Sequence, residues 1–155
     1  MNSEKITKTQ IGKCGELLVQ LSLLRSGIES AALTTDSGVD LVAYSPYLSS
    51  PISIQVKTNL QSKPGGGKGK HALDWWIPEN CPAQLVTLVD LSTDSIWVFT
   101  MKEVRRLSQQ TSKKGHHLGM YTDPTANPRK VGFLMHCHEF DRFKLANRIS
   151  KLFGV

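Results

Sequence analysis

Four polar side chains in the first part of the chain are of the types that bind a cation and hydrolyse a phosphodiester bond. They are Glu16, Asp40, Gln55 and Lys57. Two carboxylates and an amide oxygen are hard ligands that suit Mg²⁺ or a similar ion. A lysine at the alternate strand position stands roughly 6–7 Å from Gln55, close enough to orient or deprotonate a metal-bound water. The set therefore indicates metal-dependent hydrolysis.

Two predicted strands must present three of these side chains. In the segment SIQVKT, residues 53–58, alternation places the isoleucine and valine side chains on one face and Gln55 and Lys57 on the other. In the strand predicted over 39–44, the same rule places Asp40 on the face opposite Leu41. The three polar side chains can therefore meet if these strands are neighbours.

The fourth polar side chain, Glu16, lies in a helix that is predicted over residues 6–26, with Gly27 as its C-terminal cap. Its apolar residues recur at spacings of three and four, and we expect this stripe to pack on the sheet: Cys14, Leu17, Leu18, Leu21 and Leu24. Glu16 sits at the margin of the stripe, beside Gln20. Its carboxylate can therefore lean over the edge of the packed surface.

Turn residues divide the rest of the chain into further elements. Strands are predicted over 29–35, 39–44 and 52–58, with DSG and SPYLSSP as the turns between them, and we expect these strands to form an antiparallel meander. A later pair of strands is predicted for QLVTLVDL and SIWVFT. Thr100 and Glu103 form a capping box that opens a short helix to about Ser108. Residues 62–71 and 109–130 are expected to be irregular loops, VGFLMH a last strand, and 140–153 a last helix. The basic loop at 62–71 lacks the pattern of a nucleotide-binding P-loop.

Composition and net charge limit the classes of protein to which this chain can belong. The 155 residues include 39% hydrophobic and 21% charged residues, which predicts one globular domain over 1–155. A net charge of +6 favours a polyanionic partner, nucleic acid first. No apolar run approaches the ~20 residues of a membrane span and no signal peptide is evident, so a soluble, cytoplasmic protein is expected. The three cysteines are widely spaced, which predicts reduced thiols and no structural zinc.

The motifs GE in the first helix, GVDLVAY and IQVKT resemble those of the PD-(D/E)XK nuclease superfamily, over roughly the first 60 residues. The resemblance implies an α/β, restriction-endonuclease-like mixed β-sheet core flanked by helices, and Mg²⁺-dependent cleavage of double-stranded DNA, with Mn²⁺ as a substitute. It makes Lys57 the catalytic lysine and implies metal ligands at Glu16, Asp40, Gln55 and the backbone carbonyl of Val56.

This chain departs from the family pattern at Gln55, where the family usually has an acidic residue. A neutral ligand lowers the charge at the metal, so Glu16 becomes part of the expected ligand set. With glutamine at this position, the chain resembles Mrr-like restriction enzymes and, more closely in layout, intron-encoded homing endonucleases. A homing endonuclease is thus the preferred class, followed by a type II or Mrr-like restriction enzyme and a Holliday junction resolvase.

Basic residues in the two predicted loops are the candidate DNA contacts. They are Lys63, Lys68, Lys70, Lys113, Lys114 and His116. Since a duplex has two strands and each chain has one site, double-strand cleavage predicts a homo-oligomer, a dimer or a tetramer.

Structural interpretations of the same residues stay open at this point. Glu16 alone suits a solvated helix position, Asp40 the end of a turn, and Gln55 with Lys57 the exposed face of an edge strand. The histidines of the HCH segment are more typical of a strand end than of a metal site. An inactive DNA-binding protein that kept the fold is the alternative from another functional class.

Overall fold

The computed structural model describes residues 5–35, 37–128 and 130–155, so Asp36 of the predicted DSG turn lies outside the described residues. The regular elements, in chain order, are α1 (Lys8–Arg25), β1 (Glu29–Ala32), β2 (Leu41–Tyr44), β3 (Ile52–Asn59), β4 (Lys63–Pro64), β5 (His71–Ile77), β6 (Leu85–Asp90), β7 (Ser95–Thr100), α2 (Met101–Leu107), β8 (Gln110–Ser112), β9 (Gly115–Tyr121) and α3 (Leu145–Phe153). Two 3₁₀ segments cover Gly65–Gly67 and Cys137–Phe143.

The main sheet has five strands in the order β1-β2-β3-β6-β7. The predicted antiparallel meander β1–β2–β3 is confirmed, and so is the β6–β7 hairpin. β3 and β6 run parallel, which makes the sheet mixed and places β3 at its centre. The predicted fold class, a mixed sheet with flanking helices, is confirmed.

Helix α1 begins and ends where its sequence signals lie. Thr7 and Gln10 form a reciprocal capping box at the N-terminus. At the other end Gly27 has a φ of 78°, and its N–H donates to the Leu24 carbonyl while the N–H of Ile28 donates to that of Leu23. This Schellman motif requires the left-handed conformation that glycine adopts without strain.

The face of α1 that packs on the sheet is not the predicted leucine stripe. Gly15, Val19 and Leu23 are buried, whereas Leu17 and Leu21 are exposed. The stripe was predicted from the largest apolar side chains, but a small residue allows closer packing. A Cβ at position 15 would lie 1.9 Å from Thr58 Oγ1, so glycine there lets the helix touch β3.

A second sheet, in the order β4-β5-β9-β8, combines β5 with strands from the two regions predicted as loops. In the first, β4 pairs with the start of β5 around the 3₁₀ turn at Gly65–Gly67. In the second, β8 and β9 form a hairpin, and β9 pairs with β5 along its length. The loop prediction for 62–71 holds apart from β4 and the start of β5, whereas the prediction for 109–130 was wrong over β8 and β9. The pairing of β9 with β5 joins segments that are distant in sequence, so local composition does not reveal it.

The C-terminal region also differs from its prediction. VGFLMH forms no strand and contributes only an isolated bridge between Tyr121 and His136. The last helix is split, because a 3₁₀ segment ends at Phe143 and α3 begins after the extended residue Lys144. The helix that Thr100 and Glu103 were predicted to open is confirmed as α2, with both capping hydrogen bonds present.

The main sheet is buried on both faces. One core lies between the sheet and helices α1 and α3, and it includes Val19, Leu41 and Ile54. The other lies between the two sheets and includes Trp75 and Trp97, whose ring centroids are 6.0 Å apart. Within the part of the chain that the structure describes, no helix has the length and apolarity to cross a bilayer.

Candidate active site

The central strand β3 carries Gln55 and Lys57 on its face toward the second sheet. Gln55 lies beside Val86 and Lys57 beside Leu88, and both β6 residues belong to the core between the sheets. Residues that lie side by side on paired strands share a face. The alternative of a polar edge strand is therefore wrong for these two side chains, since β3 has a neighbour on each side.

Asp40 lies on the same face, just before β2. Leu41 pairs with Ile54 in the core under α1, so Asp40, one residue earlier, points to the opposite side. Its Oδ2 accepts a hydrogen bond of 2.6 Å from the Val56 backbone N–H. Since the N–H and C=O of one strand residue point to the same edge, the Val56 carbonyl also points toward the Asp40 side of β3.

Gln55 is almost fully enclosed, with 6% of its surface exposed. Its Oε1 accepts a hydrogen bond of 3.2 Å from the Cys81 thiol, and its backbone carbonyl accepts one from Thr87. A thiol is a weak donor, and an amide oxygen has a second lone pair. The Gln55 oxygen can therefore bind a cation without the loss of a strong hydrogen bond.

Cys81 is a contact of the site that the sequence did not reveal. It lies 26 positions after Gln55, in the segment between β5 and β6, and no motif relates the two residues. The predicted reduced state agrees with the structure, where all three cysteines are free thiols.

Glu16 lies in a different layer from Asp40, Gln55 and Lys57. It lies on α1, which packs on the other face of β3 through Gly15 and Thr58. The Glu16 carboxylate is mostly covered and forms an ion pair with Lys13, one turn away on the same helix. The structure thus brings Asp40, Gln55 and Lys57 to one face, whereas Glu16 stands at the helix margin.

The described residues contain no group of three or more His, Cys, Asp or Glu side chains placed to hold a metal ion. The predicted ligand set contains only two carboxylates, those of Glu16 and Asp40. Its other ligands are the amide oxygen of Gln55 and the backbone carbonyl of Val56. Oxygen donors of these types fit Mg²⁺ and do not fit the nitrogen and sulfur preference of zinc.

The predicted DNA-contacting lysines lie at the two hairpin tips of the second sheet. Lys68 and Lys70 flank the turn between β4 and β5, and Lys113 and Lys114 form the turn between β8 and β9. Because β5 and β9 are antiparallel, these tips are at opposite ends of the sheet. Lys63, in β4, is also exposed.

His116 differs from the lysines. Its ring is buried and contacts Glu79, which also accepts a hydrogen bond of 2.9 Å from Arg105. Nδ1 of the same ring lies 3.3 Å from the Ser108 hydroxyl. A ring held in this way cannot face a nucleic acid, so we exclude it from the DNA-contacting set.

The end of β3 contacts β5 of the second sheet. Asn59, at the end of β3, donates a hydrogen bond of 2.8 Å to the Asp74 carbonyl on β5. On the outer face of the second sheet, the Trp76 ring packs on His117 with centroids 4.9 Å apart. A cleft of ≈ 400 Å³ opens on the same side and is lined by Lys63, Tyr121 and Lys130, among others.

Comparison with known proteins yields a structural match. No protein-family model and no curated protein sequence matches the chain. Among solved structures, the bacterial homing endonuclease I-Ssp6803I is similar over 96% of this chain and 94% of its own, with a TM-score of 0.61 and 15% sequence identity. The chain therefore has a fold similar to that of a bacterial homing endonuclease.

Proposed function

We propose that the chain is a Mg²⁺-dependent, site-specific endonuclease that hydrolyses phosphodiester bonds of double-stranded DNA, of the homing type. The observation that carries the proposal is that Asp40, Gln55 and Lys57 lie on the same face of the main sheet. The similarity of the whole fold to a homing endonuclease supports it. The PD-(D/E)XK resemblance of the same motifs points to the same chemistry.

Each residue of the site has a proposed role. Asp40, Gln55 and the Val56 carbonyl would hold Mg²⁺, or Mn²⁺ in its place, and Glu16 would complete the ligands if it left Lys13. A cation held there would supply neutralisation of phosphate charge and activation of a water. Lys57, two strand positions from Gln55, would orient the attacking water as an ammonium or accept its proton as a neutral amine.

The positive surface supplies the DNA-binding part of the proposal. Lysines at opposite ends of the second sheet can contact phosphates at separated points of a duplex, while the outer face of β5 and β9 lies between them. Two antiparallel strands fit the width of the major groove. In this arrangement the duplex backbone passes the Asn59 end of β3, near Lys57.

The direct test is nicking of long linear duplex, supercoiled plasmid and a four-way junction, in Mg²⁺ and in Mn²⁺. Discrete fragments from the wild type, lost in Lys57→Ala, are the expected result. Lys102→Ala, at an exposed position of α2, is the matched control and should cleave normally. Fragments of equal yield from Lys57→Ala would contradict the role of Lys57.

Other outcomes separate the alternative functions. Cleavage of the four-way junction alone would favour a junction resolvase, and cleavage at short, frequent sites would favour a restriction enzyme. The neutral side chain of Gln55 favours a second candidate, an inactive DNA-binding protein, because an amide in place of a carboxylate weakens a metal site. Salt-dependent DNA binding without cleavage in either metal would establish that candidate.

A further inference from the structure

The outer face of the second sheet carries a carboxylate at its centre. Leu73, Trp75 and Ile77 of β5 are buried in the core between the sheets, so Asp74, which alternates with them, points to the opposite side. The Asp74 side chain is 60% exposed. It belongs to the middle residue of β5, so it is equally far from the two ends of the strand.

The surface around this carboxylate is positive. Lysines lie in the hairpin turns at both ends of the second sheet, and Lys63 of β4 pairs with Ala72, which shares the outer face with Asp74. A carboxylate on such a surface repels a phosphate backbone and lowers the affinity for every DNA sequence alike. Its position at the centre of the face suits contact with a base edge, since the phosphates belong to the lysines.

Two neighbouring rings hold the Asp74 carboxylate in place. Its Oδ2 lies 3.3 Å from Nε2 of His117. The Trp76 ring, in register with His117 across the strand pair, packs on the imidazole with centroids 4.9 Å apart. An ionised carboxylate has about four lone-pair sites, so the contact with His117 leaves it able to accept from a ligand. A side chain that is already held loses less conformational entropy when the ligand binds.

Gly119 leaves the space beside Asp74 open. It lies opposite Asp74 on β9 and has no side chain to cover the sheet. A Cβ at this position would lie 3.3 Å from Cε1 of His117, so a larger residue would also press on the ring that holds the carboxylate. Asp74, Gly119 and His117 line the cleft of ≈ 400 Å³. The centre of the outer face is therefore a recess with a hydrogen-bond acceptor on its wall.

The repeat of the strand matches the repeat of a duplex. Successive outward residues of one strand stand about 7 Å apart, and successive base pairs are about 3.4 Å apart. In a strand that follows the major groove, neighbouring outward residues face base pairs two steps apart. The hydrogen-bond donors that bases present in this groove are the N4 amino group of cytosine and the N6 amino group of adenine.

We infer that Asp74 is a specificity-determining residue, which accepts a hydrogen bond from the exocyclic amino group of a cytosine or an adenine in the major groove. Guanine and thymine present carbonyl oxygens in its place, which the carboxylate repels. His117 is the positioning residue that orients the carboxylate. The inference rests on the proposed function in that the ligand is duplex DNA, and it names the residue and the base chemistry that select the sequence.

The first test is selection of binding sites from a randomised duplex library in EDTA, so that no DNA is cleaved. The wild type should select cytosine or adenine at one position and disfavour guanine and thymine there by about 10- to 150-fold, the value of a hydrogen bond to a charged group. Asp74→Asn should accept guanine and thymine at that position, because an amide can also donate, and should keep the other preferences.

Asp94 supplies the matched control. It is exposed in the turn between β6 and β7, and its φ of 52° is one that asparagine tolerates. Asp94→Asn removes the same charge and should leave the selected sequence unchanged. If Asp74→Asn also keeps that sequence and only binds all DNA more tightly, Asp74 acts through its charge alone and the inference is overturned. A wild type that selects no sequence would overturn it as well.

Removal of the amino group from the DNA gives a second test. In the selected site, pyrimidin-2-one replaces the cytosine, or purine replaces the adenine, which deletes only the amino group. The wild type should lose about 10- to 150-fold in affinity. Asp74→Ala should lose no further affinity, because the partner of the amino group is already absent. Equal losses in the two proteins would show that another residue contacts this base.

The positioning role of His117 has its own readout. His117→Gln should weaken discrimination at the base that Asp74 reads and at no other base. The double variant should select the same sequences as Asp74→Asn alone, because both residues act on one contact. A changed preference at a different base would mean that His117 contacts DNA itself, and it would contradict the positioning role.

The outcomes also separate this inference from the proposed endonuclease. Cleavage at a defined sequence, with the base preference unaltered in Asp74→Asn, would preserve the endonuclease and reject the role of Asp74. Sequence selection that depends on Asp74, in a protein that cleaves nothing in Mg²⁺ or Mn²⁺, would preserve the role of Asp74 and reject the catalysis.

Discussion

At the scale of single residues, Gln55 is the most informative position. It is a neutral, buried residue where an acidic ligand would be expected, and its oxygen is shared with the Cys81 thiol. A buried carboxylate without a counter-charge is unfavourable, whereas a buried amide with a partner is not. Glutamine therefore suits this buried position without a counter-charge, and in the proposed metal site it would lower the charge of the ligand set.

Replacement of Gln55 by glutamate tests how the charge at this position affects stability without metal and the response to Mg²⁺. We expect Gln55→Glu to lower the unfolding temperature without metal and to recover it in Mg²⁺, because the cation compensates the buried charge. The Mg²⁺ concentration for half-maximal cleavage should fall several-fold, since the ligand charge increases. Thermal unfolding with and without Mg²⁺ checks the first statement, and cleavage titrations check the second.

Gln84 supplies the control for this substitution. Its side chain is exposed, and its Oε1 accepts a hydrogen bond of 3.0 Å from the N–H of Ser53, two strand positions before Gln55. Gln84→Glu should respond to Mg²⁺ as the wild type does. An equal response of both variants would show that Mg²⁺ acts on the general surface charge.

At the scale of elements, the contact between α1 and β3 determines how near Glu16 lies to the site. Gly15 packs directly against Thr58, and no larger residue fits without a shift of the helix. The close approach at this glycine agrees with the burial of Val19 and Leu23 and the exposure of Leu17, Leu21 and Leu24.

Two glycine substitutions on the same helix should have opposite effects. Gly15→Ala should destabilise the protein by about 1–3 kcal/mol, because its Cβ would overlap Thr58. Gly12→Ala, with no atom within 4 Å of the added Cβ, should be neutral or stabilising by up to about 1 kcal/mol. Urea unfolding of the two variants checks the contrast. Similar stabilities would mean that α1 sits farther from β3.

A second element contact joins α3 to the start of α2. Arg148 donates hydrogen bonds of 2.8 and 2.9 Å to the two oxygens of Glu103, and another to the Val98 carbonyl. Partial burial opposes ionisation, but the hydrogen bonds from Arg148 and Thr100 outweigh it and hold the pKa of Glu103 below its ordinary value of 4.5.

This lowered pKa predicts a pH dependence of stability. The Glu103 contribution is fully present above pH 4.5 and is lost as pH falls through the lower pKa of the folded state. Glu103→Gln should cost about 1–3 kcal/mol at neutral pH and flatten the acid limb of the stability curve. Asp141→Asn, in an exposed pair with Lys144, is the control and should change stability by less than about 1 kcal/mol. Urea unfolding of the wild type and of both variants at several pH values provides the measurement.

At the scale of the whole molecule, charge is distributed so that the second sheet carries lysines at both ends. The net charge of +6 alone predicts only a polyanionic partner. The two hairpins determine where positive charge lies, since they present Lys68 and Lys113 at opposite ends of β5.

Salt dependence of DNA affinity tests whether both hairpins touch the backbone. Lys68→Ala and Lys113→Ala should each reduce the slope of log K against log salt by about 1, and together by about 2. Lys151→Ala, at an exposed position of α3, should leave the slope unchanged. Fluorescence anisotropy over a salt series provides the measurement. An effect of one tip alone would restrict the interface to that hairpin.

The sequence by itself determined the local features: the ends of α1, the antiparallel meander, the α2 cap, and the alternation that sets Asp40, Gln55 and Lys57 on compatible faces. These follow from the backbone preferences and side-chain periodicity of neighbouring residues. The fold class came from the resemblance of three motifs to those of a nuclease superfamily.

Only the tertiary structure decided which face of α1 is buried, that the two glycine-rich or basic segments form a second sheet, and that Cys81 contacts Gln55. Each depends on residues far apart in the chain, as Gly15 on Thr58 and β5 on β9. Periodicity reports that a helix has an apolar face, but the shape of the partner surface selects which face packs. In α1 the close approach that glycine permits outweighed the greater apolar area of the leucines.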